Sequence, residues 1–153
     1  MSASQHESHR YDLVIGGGLL IDPGQDAPTS GDVAVRDGRV EAIVAPGSAD
    51  TRCTRFLNAR GLLVTPGLID LHTHIYDGRT GLGTRADTVG IETGVTTLVD
   101  AGSVGCDSFA DFRETVVATA RTRILSWLNL SRHGLTRGSR ELAEATASSM
   151  PRP

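Results

Sequence analysis

No lysine occurs anywhere in the 153 residues, and all fifteen basic side chains are arginine. Codon bias in a GC-rich genome is the plain explanation, yet the absence also removes a chemical option. Arginine cannot stand in for a lysine amine, because its guanidinium stays protonated above about pH 12. Cysteine is scarce as well. Cys53 and Cys106 lie far apart without metal-ligand spacing, and read as reduced thiols of a cytoplasmic protein. No stretch approaches the roughly 18 to 20 apolar residues that span a bilayer. Met1 to Arg10 are polar and lack the apolar core of a secretion signal. A formal charge of −3 gives no reason to expect nucleic acid or an anionic membrane as partner. With 39% hydrophobic residues, the chain can bury one modest core or parts of two.

What is present falls into four segments. Residues 1–10 read as a mobile tail. Residues 11–65 hold short apolar runs separated by turn residues, the texture of an all-β module. Tyr11 to Ile15 is a strand candidate closed by a turn at Gly16-Gly17-Gly18, with Leu19 to Ile21 following. Val33 and Val35 alternate, Asp37-Gly38 is a two-residue turn, and Val40, Ala42 and Val44 alternate again, which predicts a hairpin over Asp32 to Val44. Arg55 to Val64 adds strand material. The triple glycine is no phosphate fingerprint, since it lacks the G-x-G-x-x-G pattern and no helix follows it.

Pro66-Gly67 changes the rhythm. Leu68 to Ile75 is a strand candidate whose odd positions (Ile69, Leu71, Thr73, Ile75) belong under covering helices, while Leu68, Asp70, His72 and His74 share the other face. A helix is expected over Arg85 to Thr93, ended by Gly94. Val95 to Ala101 reads as a second strand. Ser108-x-x-Asp111 is a capping-box start, after which Phe109, Phe112, Val116 and Ala120 recur at helical spacing. Arg123 to Leu130 is a third strand. Strands and helices in this alternation argue for a parallel α/β sheet. Residues 136–153 are rich in Arg, Ser and Ala, with one weak helical patch at residues 141–146.

His72-Thr73-His74 carries the most chemistry. Alternate strand residues project the same way, with Cα atoms about 6.5 to 7 Å apart. Two imidazoles can therefore converge on one divalent metal, at zinc–nitrogen distances of about 2.0 to 2.1 Å. Imidazole also suits iron, nickel and copper, so spacing leaves the metal open.

The run Val64-Thr-Pro-Gly-Leu-Ile-Asp-Leu-His-Thr-His74 resembles the signature of the amidohydrolase superfamily. Gly94-Val-Thr-Thr-Leu-Val-Asp-Ala-Gly-Ser103, Phe109-Ala-Asp-Phe-Arg113 and Leu128-Asn-Leu-Ser-Arg132 resemble its dihydroorotase-like deacetylase branch. The resemblance covers about Tyr11 to Leu135. It implies a (β/α)8 TIM-type barrel, of which residues 66–135 hold the first three βα units, preceded by part of a small β-sandwich domain in residues 11–65. It implies a divalent metal, zinc for preference, as one or two ions held by His72 and His74. The other ligands in such enzymes come from later strands: a carboxylated lysine, two further histidines and an aspartate. A full barrel takes about 250 residues. This chain is therefore expected to be incomplete and inactive alone. It reads as an amidohydrolase cutting a cyclic amide, N-acyl or acetyl-ester bond of a small molecule, as a truncated or frameshifted product, or as half of a split enzyme needing a C-terminal chain. A homo-oligomer also stays open.

Other candidates carry plainer alternatives. Asp100, Ser103, Asn129 and Arg132 sit at or after strand ends, where a barrel binds substrate, or else cap loops. Asp70 shares the histidine face but lies deeper, as a buried polar bridge. His133 follows the third strand and is a further candidate to face the metal. His6 and His9 match a ligand pair in spacing alone. Cys106 has no neighbour in sequence that would lower its pKa and is expected to be unreactive, and Trp127 is expected in the core.

Overall fold

The computed structural model describes residues 10–49 and 53–138, so His6, His9 and the patch at residues 141–146 lie outside the described residues. The chain divides into two compact units, Met1–Pro66 and Gly67–Pro153.

The first unit is a single five-stranded sheet. Its strands are β1 (Tyr11–Leu20), β2 (Thr29–Arg36), β3 (Arg39–Val44), β4 (Cys53–Asn58) and β5 (Leu63–Val64). They lie in the order β3-β2-β1-β4, with β5 also against β1. The expected hairpin forms: β2 and β3 pair antiparallel. Asp37 and Gly38 between them both take positive φ, 50° and 71°, as the turn that matches strand twist requires.

The three glycines do not turn the chain. β1 runs through them with a bulge: between Ile15 and Gly18 it advances three residues while β2 advances two. Gly17 takes φ 73° there, a conformation open mainly to glycine. Its N–H donates to Asp32 Oδ1 at 2.7 Å. The other oxygen of this buried carboxylate accepts from Gly47 N at 2.8 Å and Ala49 N at 3.1 Å. The donor that a phosphate would need is thus engaged by a carboxylate. Tyr11, Val14 and Ala34 form the small core of this unit.

In the second unit, β6 (Leu68–Thr73), β7 (Val95–Ala101) and β8 (Arg123–Trp127) form a parallel sheet in chain order. α1 spans Ala86–Val89, and the expected longer helix breaks at Gly90, whose ψ of −114° is not helical. A 3-10 turn, Ile91–Thr93, follows, and Gly94 in the left-handed region ends it. α2 (Phe109–Phe112) runs directly into a π-helical turn, Arg113–Val117. The capping box does not form. Ser108 makes no side-chain cap bond, its backbone N–H donates to Gly105 O, and Asp111 accepts the Tyr76 hydroxyl.

Phe112 is fully buried and meets the Tyr76 ring edge-on, with centroids 5.4 Å apart. Ile75, Ala86, Leu98 and Val104 complete that core, with Val116, Ala120 and Ile124 packed on it. Two expectations fail here. Trp127 is 61% exposed, and Ile69 and Leu71 are 61% and 64% exposed. β6 and β8 are the outer strands of the sheet, and the helical layer covers Leu98 and Ile124 rather than these positions. Among the described residues no helix is long and apolar enough to cross a membrane.

Candidate metal centre

The strict alternation read along β6 breaks at its centre. From Asp70 to Thr73, β6 advances three residues while β7 advances two. Asp70 therefore falls out of step with the histidines. Its Oδ1 accepts from the His72 backbone N–H at 2.9 Å, which makes it a local cap rather than a bridge.

His72 lies within this bulge and His74 just past it, and their imidazoles have centroids 5.6 Å apart and planes at 81°. Two rings bound through nitrogen to one tetrahedral zinc, at about 2.0 to 2.1 Å per bond, have centres roughly 5 Å apart. The centroid spacing of the pair lies close to that value. His74 Nδ1 lies 3.0 Å from Ser103 Oγ, and with Nδ1–H donating there, Nε2 is the nitrogen left for a metal. Among the described residues, no cluster of three or more His, Cys, Asp or Glu is placed to hold a metal.

Ser103 is itself tightly held. It is fully buried, and its N–H donates to Asp100 Oδ1 at 2.7 Å. Asp100 Oδ2 accepts from Ile75 N at 3.0 Å. One buried carboxylate thus ties the segment after β6 to the end of β7. Asn129 does the same one strand on: Nδ2 donates to Gly102 O, and Oδ1 accepts from Ser131 N, both at 2.9 Å. Arg132 forks onto Asp107, with Nε at 3.0 and 3.1 Å and Nη2 at 2.8 Å. The guanidinium holds the Asp107 carboxyl below its usual range, and the carboxylate raises the guanidinium in return.

Tyr76 stands apart from the histidine pair. Burial first, then the hydrogen bond and charge of Asp111, push its hydroxyl up to about 12, so it remains a neutral donor at pH 7. A cavity of about 310 Å³ beside it is walled by Arg79, Arg85, Thr115 and Thr119, and neither histidine lines it. The cavity and the histidine pair are therefore separate features.

Over 99 residues the chain is 42% identical to a deacetylase of Agrobacterium fabrum, aligning 65% of this chain with 24% of that protein. Over 111 residues it is 41% identical to a deacetylase of Brucella anthropi, covering 72% of this chain and 27% of that one. The crystal structure of a dihydroorotase superposes with a TM-score of 0.73 at 33% identity, over 89% of this chain and 36% of that one. The chain belongs to the amidohydrolase superfamily. No protein-family model matches it. It spans about a quarter of the length of the curated relatives it matches, and its mixed α/β architecture is that of the amidohydrolase structure. Within this amidohydrolase chain, Asp107 is the residue that sequence reading passed over. It receives Arg132 and, at 3.0 Å, Nδ1 of His133.

Proposed function

We propose that this chain carries the first metal-holding strand of a hydrolase acting on a cyclic amide, an N-acyl compound or an acetyl ester. Its second unit forms the first three βα units of a (β/α)8 barrel, and its first unit is part of a small β-sandwich domain. The observation that carries the reading is the His72–His74 pair, with ring centres 5.6 Å apart and one ring oriented by a buried serine. His72 lies at the C-terminal end of the parallel strand β6 and His74 directly follows it, at the end where barrel enzymes place their chemistry. The names of the relatives, two deacetylases and a dihydroorotase, support the substrate class.

His72 and His74 would hold a divalent metal, zinc for preference, and such an ion would supply polarisation of a scissile carbonyl and activation of a water. The protein's own contribution is orientation. Ser103 orients the His74 ring, Asp100 holds Ser103, and neither histidine acts as acid or base while it is a ligand. A bridging carbamate is beyond these residues, because they contain no lysine.

The test compares two polypeptides on N-acetyl amino acids, a cyclic amide and an aryl acetate, with zinc and bicarbonate in excess. The 153 residues alone should give no turnover. Extension with further barrel strands, including a strand-borne lysine, should create activity that His72→Ala and His74→Ala each abolish. Zinc-dependent turnover by the 153 residues alone, lost in the double variant, refutes the assignment of the missing bridge.

A further inference from the structure

We propose that Asp100 is a positioning residue of the metal site, pinning the bulged register of β6 and so setting how His72 and His74 stand to each other; this rests on the metal-holding role of the two histidines above. The strand register places Asp100 beside Thr73, the residue between them. On the way there β6 carries one residue more than β7, counted from Asp70 to Thr73 against Leu98 to Asp100. Such an insertion re-aims the side chains around it. It lasts only while the strand past it is kept from slipping back.

Two contacts of one carboxylate hold it there. Oδ2 accepts from the backbone N–H of Ile75, the residue after His74, at 3.0 Å. Oδ1 accepts from Ser103 N at 2.7 Å, and Ser103 Oγ lies 3.0 Å from His74 Nδ1. Asp100 thus holds the backbone on one side of His74 and, through Ser103, its ring. Thr84 N donates to the His74 carbonyl from the following loop, while Asp100 supplies a hold from β7.

Burial and chemistry point the same way. Asp100 is fully buried, and both of its oxygens are turned to backbone donors, which leaves no face toward a substrate. Two N–H groups need two acceptor oxygens, and a carboxylate has them where an amide has one. A buried carboxylate is a costly way to tie two loops. One strand further from the histidine pair, Asn129 makes the corresponding tie between Gly102 and Ser131 with a neutral amide.

The experiment measures zinc affinity of the 153-residue chain by competition with a weak chromophoric chelator, and the thermal midpoint of the same samples. Asp100→Asn keeps one acceptor and turns an N–H toward the other backbone donor. It should weaken zinc binding about tenfold, the low end of what losing a ligand's hydrogen-bond partner costs. Asp87→Asn is the matched control, since it also leaves the backbone donors of Arg121 and Thr122 short of an acceptor. It should lower the midpoint and keep zinc affinity. Combined with Ser103→Ala, Asp100→Asn should weaken binding by less than the product of the two single losses, because both act on His74. Asp100→Ser covers an Asp100→Asn chain that does not fold: its hydroxyl can still accept from Ser103 N while Ile75 N is released, and zinc should weaken severalfold. Affinity within twofold of wild type in the folded Asp100 variants overturns the proposal. So does a zinc loss that Asp87→Asn reproduces at equal midpoint, or losses that simply multiply in the double variant. Failure of both Asp100 variants to fold marks a structural lock and overturns it too. A wild-type chain that binds no zinc, or zinc that survives His72→Ala and His74→Ala, refutes the metal-holding reading and this inference with it. Histidine-dependent zinc with unchanged affinity in the Asp100 variants refutes the inference alone.

Discussion

Replacing Ser103 with alanine isolates what the orientation of His74 is worth to metal binding. The substitution deletes only Oγ. The backbone N–H still donates to Asp100 and the carbonyl still accepts from Leu135. The fold loses one hydrogen bond, a cost of about 0.5 to 1.5 kcal/mol. The metal site loses the partner that orients the His74 ring, which typically weakens affinity 10- to 100-fold, or about 1.4 to 2.7 kcal/mol. The effect on zinc should therefore exceed the effect on folding. With two histidines and no third ligand among the described residues, zinc binding by the 153 residues should be weak and easily chelated, since catalytic zinc usually has about three protein ligands. Competition against a chromophoric chelator gives the dissociation constant, and a thermal melt of the same sample gives the folding effect. Ser103→Thr, which keeps the hydroxyl, is the control. If Ser103→Ala binds zinc within twofold of wild type while His74→Ala abolishes binding, the orienting role is refuted.

Phe112→Ala removes a fully buried ring in edge contact with Tyr76 and should cost about 3 to 5 kcal/mol, seen as a lower urea midpoint for the second unit; a loss under 1 kcal/mol would show that the ring is not its keystone. The Asp87 carboxyl is lowered chiefly by the backbone N–H of Thr122, then by that of Arg121 and the Thr122 hydroxyl. Its stabilisation is present above the unfolded value of about 4 and disappears as pH falls through the lower folded value. Asp87→Asn should therefore flatten the acid limb of the stability–pH curve, and an unchanged limb counts against the clasp. The outer strands β6 and β8 and the exposed Ile69 and Leu71 template association. The isolated chain should sediment as oligomers that Ile69→Thr and Leu71→Thr reduce; a sharp wild-type monomer peak contradicts this.

Local pattern and tertiary context divided the fold between them. The Asp37-Gly38 hairpin was legible because the turn chemistry and the flanking alternation agree. Strand β7 was legible because its β-branched run admits little else. The bulges at Gly17 and between Asp70 and Thr73 were not, since a run of glycines or a simple alternation carries no sign of where an extra residue is inserted. The reciprocal half of the capping box at Ser108 failed for a tertiary reason: Asp111 lies 35 residues from Tyr76 and accepts its hydroxyl. Trp127 failed likewise, because burial depends on what covers a face and not on the side chain's own preference.

The contacts that join neighbouring strand ends fall in a narrow range of spacing. Ser103 meets His74 across 29 residues, Asp100 meets Ile75 across 25, Asn129 meets Gly102 across 27, and Arg132 meets Asp107 across 25. Each separation is one strand, one helix and one loop, the length of a single βα unit in this chain. A parallel sheet laid down in chain order returns every strand to the same end, so a polar residue after one strand meets the polar residue one unit later. His72-Thr73-His74 was visible in the sequence because its two partners are neighbours on one strand. Asp107 was not, because its partners, Arg132 and His133, lie a whole unit away. Residue pairs separated by one unit length and flanking the strand ends are therefore the signal that would have found it, and that signal becomes readable only once the strand order is assumed.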